Sequence, residues 1–300
     1  MTAAGLLSLA LQASLFLIVL GTGMSGRRGA ATMLFREPRL LLRSIVSMQL
    51  LAPLIVLALA SALPLQSGVK IALVMLALSP VPPFLPKKEL ATGGQRPYVI
   101  SLLAISAVLS VFTIPASLAL IDSIFGLTLA IPAMAIARQA QFTVVIPLTL
   151  GVLVQRMAPA LSAAWGQFVA RAGTALLLVA IVPQLAGMLP AFRLLASDGT
   201  LLVIASSAVV ALVVGHVLGA PVHDDRAVLA LSTASRHPAI AIALAHANFA
   251  SEQLAVPAVF MSLIVGGLAA LPYAVLSRRR FPTSDANAAS LSQRRARRVS

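Results

Sequence analysis

Lys87, Lys88, Arg236 and His237 are the side chains best placed to do chemistry, because each interrupts or borders a long apolar stretch. The two lysines close the run Leu78-Ser-Pro-Val-Pro-Pro-Phe-Leu-Pro-Lys-Lys-Glu89, which carries Pro80, Pro82, Pro83 and Pro86. Arg236 and His237 belong to Ser232-Thr-Ala-Ser-Arg-His-Pro238, a second interruption far down the chain. Proline lacks an amide donor and clashes with the preceding turn, so neither run continues as an unbroken helix. Each break exposes the amides of a new helix N-terminus, after about Phe84 and after Pro238, and such ends carry partial positive charge. Basic side chains beside bared amides read as an anion-binding centre, suited to a carboxylate or a sulfonate. The substrate-binding candidates are Arg236, Lys87, Lys88, Ser232, Ser235 and His237, with Pro80, Pro82, Pro83, Pro86 and Pro238 holding the backbone open.

Each residue also has a plainer role. Lys87 and Lys88 could snorkel to the membrane surface as anchors. Arg236 could pair permanently with Glu89 or with Asp224 and Asp225. His237 could donate to a freed carbonyl or, with an intrinsic pKa near neutrality, relay protons. His216, His223 and His246 lack ligand-like spacing, so no metal site is read. Among the eight acidic residues no mid-membrane pair stands out, and no H-E-x-x-H helix occurs, so an intramembrane hydrolase is not expected.

The elements that position these residues are membrane helices. Of 300 residues 59% are hydrophobic and 10% charged, and mean hydropathy is +0.99, whereas soluble domains carry about 25% charged residues. The apolar segments are long enough to cross hydrocarbon as helices, at ~20 residues each, and no strand-like alternation suggests a barrel. Nine spans are predicted: 3–22, 40–62, 68–90 (broken), 96–121, 140–157, 171–189, 199–219, 225–247 (broken) and 254–277. Residues 122–138 read as an outer connector between a first half (1–121) and a second half (139–277), and 278–300 as a disordered basic tail touching anionic lipid. With the N-terminus outside and the C-terminus cytoplasmic, 18 of the 22 lysines and arginines fall inside and only Lys70, Arg138 and Arg193 outside, with Arg236 in the membrane. That asymmetry orients the chain in a bacterial-type inner membrane. Met1–Leu20 has no basic leading region, so a retained first helix is expected rather than a cleaved signal. The absence of cysteine excludes disulfides. The net charge of +14 is read as topology and lipid contact rather than nucleic-acid binding.

Three segments resemble the bile acid:sodium symporter family. Arg43–Leu54 (RSIVSMQLLAPL) is similar to the family's glutamine-then-proline helix, and Leu78-Ser-Pro80 to the start of its first crossover helix. Ser232–Ala243 (STASRHPAIAIA) resembles the second crossover motif, commonly written E-T-G-x-[QR]-N-S-G-L-A. The resemblance implies an all-α inverted-repeat transporter with two broken crossover helices. It divides the spans into a panel (first, second, fifth and sixth) and a core (third, fourth, seventh, eighth and ninth), with the second span's module left open. It also implies sodium ligands where this chain departs from the pattern: Leu85 and Pro86 stand for a Ser-Asn pair, Val99 and Leu103 for hydroxyl ligands, and Ser232 for an acid. Gln49, Ser232 and Ser235 remain as oxygen-bearing candidates, with Gln49, Ser232 and His237 the ion-coupling set. Lys87, Lys88 and Arg236 would oppose a cation, so sodium coupling is expected to be lost or weakened, with a fixed charge in its place. No bound cofactor is expected; Na+ and H+ are the candidate coupling ions. The reading is a secondary transporter of a small organic anion working by alternating access, not an enzyme. A sensor or partner-binding protein on a transporter-like scaffold, and a passive channel, are the alternatives; paired breaks favour alternating access.

Overall fold

The computed structural model describes residues 3–26, 29–82, 96–125, 133–196, 199–219 and 223–280, and no strand occurs among them. The first helix, α1 (Ala3–Met24), is followed by a 3-10 turn (Ala30–Thr32) and the short α2 (Met33–Arg36). Next, α3 is α-helical over Pro38–Ile45, π-helical over Val46–Leu51 and α-helical over Ala52–Ala62. Then come α4 (Ser67–Leu78), α5 (Arg96–Phe125) and α6, which runs Ala133–Ala140, π-helical Gln141–Val145 and Ile146–Met157. The remainder is α7 (Pro159–Gly187), α8 (Leu189–Leu195), α9 (Thr200–Leu218), α10 (His223–Ala234), α11 (Pro238–Asn248), α12 (Ala255–Ala269) and α13 (Leu271–Arg280).

Among the described residues seven helical stretches are long and apolar enough to cross a membrane: Pro38–Ala62, Pro97–Ser123, Ala137–Met157, Pro159–Gly187, Thr200–Leu218, Asp225–Asn248 and Ala255–Ser277. Leu9–Met24 and Ser67–Leu78 are shorter apolar helices, at the places of the expected first and third spans. The end of the expected third span, 83–90, lies outside the described residues, as does the tail from 281. Large apolar side chains face outward, Val179 at 70% and Leu202 at 76% exposed. In water such a surface would associate; in lipid it is the solvated one.

Several boundaries differ from expectation. α5 continues to Phe125 and α6 starts at Ala133, so both ends of the expected connector are helical and 126–132 lies outside the description. α7 starts at Pro159, well before residue 171, because proline suits the first helical turn and Arg171 simply projects from the exposed side. The reason is common to both: in apolar surroundings a backbone that leaves the helix loses its hydrogen bonds.

The packing divides the helices. α1 lies against α6 and α7, while α3 packs on α4 and its π segment reaches α9 and α10. The second span therefore belongs with the group that holds the breaks and not with α1, α6 and α7. Two apolar clusters flank the breaks. One gathers Tyr98, Ile100 and Leu103 with Val144, Leu148 and Leu231; the other gathers Leu73, Leu76, Ile114, Ile240 and Val259.

The seam between α1 and α7 admits no side chain at Gly21, where a Cβ would meet Ala170 N at 2.5 Å and Gly166 O at 2.6 Å. Both obstacles are backbone, which cannot step aside, and close approach of this kind is how membrane helices associate without a hydrophobic driving force. Gly21→Leu should lower unfolding stability by about 3 kcal/mol, read as a fall in melting temperature of the purified protein. Gly187→Ala, whose Cβ meets nothing within 4 Å, should leave it unchanged.

Candidate functional site

Three prolines create the site. In the π turn of α3, Ala52 N–H donates to Ser47 O, five residues back. In that register Met48 O would require an N–H from residue 53, which is proline. Ser79 caps the end of α4 in extended conformation, and its carbonyl would look to residues 82 or 83, both proline. Two main-chain carbonyls are thus left without helical partners inside the protein, where each would cost several kcal/mol if unmet.

Arg236 meets both. Its Nη2 donates to Met48 O at 2.7 Å and its Nη1 to Ser79 O at 3.1 Å. The guanidinium is buried, with 7% of the residue exposed. It lies at the carbonyl end of α4, where the helix dipole favours a cation. Arg236 is therefore joined to backbone oxygens; of the carboxylates offered as partners, Glu89 and the side chain of Asp224 lie outside the description.

The two breaks touch directly. His237, in the gap between α10 and α11, donates its main-chain N–H to Pro80 O at 2.8 Å. Just past α4, Val81 N–H donates to Ser106 Oγ of α5 at 3.0 Å. On the other side Ser47 Oγ of α3 and Thr233 Oγ1 of α10 are 2.7 Å apart, and Thr233 also donates to Leu229 O. Gly215 lets α9 lie close enough to fix α10, since a Cβ there would meet Ala230 Cα at 2.5 Å.

A cavity of about 180 Å³ opens beside Arg236. Ser235 and Thr233 border it with the arginine; Pro82, Ala52 and Leu76 contribute from α3 and α4, and Ser207, Ser262 and Gly267 from α9 and α12. Of the residues singled out in the sequence, Arg236 and Ser235 share this cavity. Ser232 is fully buried within α10 and is not part of the wall. His237 is 1% exposed and neither ring nitrogen has a hydrogen-bond partner in the structure, so its contribution to the junction is its main chain. Gln49 borders a separate small chamber with Ser106 and Ser44, its Nε2 buried without a partner. Pro80 supplies a carbonyl to the junction, Pro82 lines the cavity and Pro238 opens α11. Lys87, Lys88, Pro83 and Pro86 lie outside the described residues. Val99 and Leu103 are buried in the apolar cluster around α5, each 1% exposed, with no oxygen to offer a cation. His216 pairs through Nδ1 with Tyr273 OH at 2.8 Å, and His246 is exposed.

Sequence reasoning missed Ser79 and Met48, whose carbonyls do the work, and the Ser47–Thr233 link. Pro53 inside an apolar helix was the available signal, because an internal proline always frees a carbonyl one turn back.

The sodium bile acid symporter family model matches residues 13–192, more than half of the 300-residue chain and all of α3 and α4. The match stops before Arg236. No curated protein matches the chain.

Replacing Arg236 by methionine should bare both carbonyls and lower stability by roughly 2 kcal/mol or more, the cost being partly offset by removal of a buried charge. Pro53→Ala supplies the missing N–H for Met48 O. In the Arg236→Met background it should recover about 1 kcal/mol relative to its effect in the wild type, measured as a double-mutant cycle of thermal or denaturant unfolding.

Proposed function

The chain belongs to the sodium bile acid symporter family, and from that membership together with the surroundings of Arg236 we propose that it is a secondary transporter of an organic anion whose coupling does not use sodium. The family is one of transporters rather than enzymes and its members are multi-pass membrane proteins, consistent with the apolar helices here. The observation that carries the proposal is the pair of hydrogen bonds that Arg236 donates to Met48 O and Ser79 O. Main-chain carbonyls converging in a buried place are what a sodium ion seeks, and here a covalently attached cation has taken them. Ser232, Val99 and Leu103 add no charged ligand, and a second cation beside the guanidinium would be repelled strongly in a medium of low dielectric constant.

The guanidinium has five N–H groups and two are engaged by carbonyls. The others can meet an anion in the adjoining cavity, with Ser235 beside them. The anion thus compensates a charge that is already buried. Transport then consists of exposing this centre alternately to the two sides, by rocking α1, α6 and α7 against the helices that carry the breaks. The orientation, N-terminus outside and C-terminus in the cytoplasm, follows from the distribution of basic residues.

The test is uptake into proteoliposomes by the full-length protein. Organic-anion uptake should be the same when sodium is replaced by choline, and Arg236→Ala should abolish it while the variant still inserts into the membrane. Uptake that needs sodium, or that survives loss of the arginine, would overturn the proposal.

A further inference from the structure

Resting on the anion-transporter reading, we propose that the substrate is a compact monoanion with a small apolar body, about the size of a single ring or a branched short chain, and not a sterol-sized acid. Three features of the cavity beside Arg236 point there.

The first is size. The cavity measures about 180 Å³. An apolar cavity of about 150 Å³ takes up one benzene. The space here is therefore filled by one ring with its acidic head, roughly seven to nine non-hydrogen atoms on the same scale. A four-ring skeleton is several times too large.

The second is charge. Among the described residues Arg236 is the single charged one on the cavity wall. Its partners are neutral carbonyls, so one ligand charge balances it and a second would sit unpaired away from water, which is strongly disfavoured. Dianions are excluded on that ground.

The third is the distribution of hydrogen-bonding groups. Ser207 Oγ donates to Ile204 O, Ser262 Oγ to Ala258 O and Thr233 Oγ1 to Leu229 O. Their protons point into the helices, which leaves each hydroxyl an acceptor only, and Thr233 already accepts from Ser47. Among the described lining residues, donors for an anion are confined to Arg236 and Ser235 at one end. Apart from Ser207 and Ser262, the opposite wall is isoleucine, alanine, leucine and glycine. The ligand therefore lies with its acid group at the break and its apolar body toward α9 and α12, where a single ligand hydroxyl could be accepted.

Gly267 offers a clean way to shrink the space. It borders the cavity, and a Cβ built on it meets nothing within 4 Å. The purified full-length protein, wild type and Gly267→Leu, would be titrated with benzoate, phthalate and cholate by calorimetry, with melting curves to show that the variant is folded. Benzoate should bind the wild type, and Gly267→Leu should weaken it by about tenfold or more, while phthalate and cholate should not compete. Cholate or phthalate displacing benzoate from the wild type would overturn the size or charge limit and leave the transporter reading standing. Benzoate binding that ignores Gly267→Leu in a folded variant would overturn the placement in this cavity. Failure of all three anions to bind in an Arg236-dependent way would overturn the inference and the transporter reading together. Should the leucine variant not fold, the competition on the wild type decides the question alone.

Discussion

One guanidinium holds the middle of this protein together. Met48 O and Ser79 O are deprived of helical partners by proline inside the protein. Arg236 supplies two N–H donors and a positive charge at the carbonyl end of α4. The interaction is reciprocal, since the arginine could not remain buried without oxygens and the carbonyls could not remain bared without donors. Everything nearby serves this exchange: the π turn that removes Ala52 N–H from Met48 O, the extended Ser79, and the gap between α10 and α11 that lets residue 236 leave its helix.

The same arrangement gives the breaks a defined relation to one another. His237 N–H on Pro80 O and Thr233 on Ser47 join segments from distant parts of the chain at hydrogen-bond distance. These are short, directional contacts between elements that apolar packing alone would let slide. The helices carrying them are gathered in one group, whereas α1, α6 and α7 form another along a glycine seam.

Much of the architecture was legible because hydropathy and proline speak plainly in a membrane protein. The helix starts and ends near 40–62, 96–121, 199–219 and 254–277 follow from apolar runs bounded by charges. The second interruption was visible in Ser-Arg-His-Pro238. What could not be read was the destination of Arg236. A cation in a helix break reads as a ligand for an anion or a carboxylate, and nothing local announces that its first partners are carbonyls far back in the chain. The assignment of α3 to the group with the breaks was equally hidden, because an evenly apolar helix has no face that names its neighbour. The extents of α6 and α7 went astray for a simpler reason: a charged side chain, such as Arg138 or Arg171, need not end a helix whose backbone still requires its own bonds.

The order of synthesis adds a consequence. Met48 and Ser79 leave the ribosome long before Arg236, so their carbonyls must wait in the nascent protein while much of the later chain is made. During that interval the early helices are incomplete in a chemical sense, with two acceptors still to be met. A message truncated before codon 236 would yield a product that cannot be finished, whatever the quality of its apolar packing.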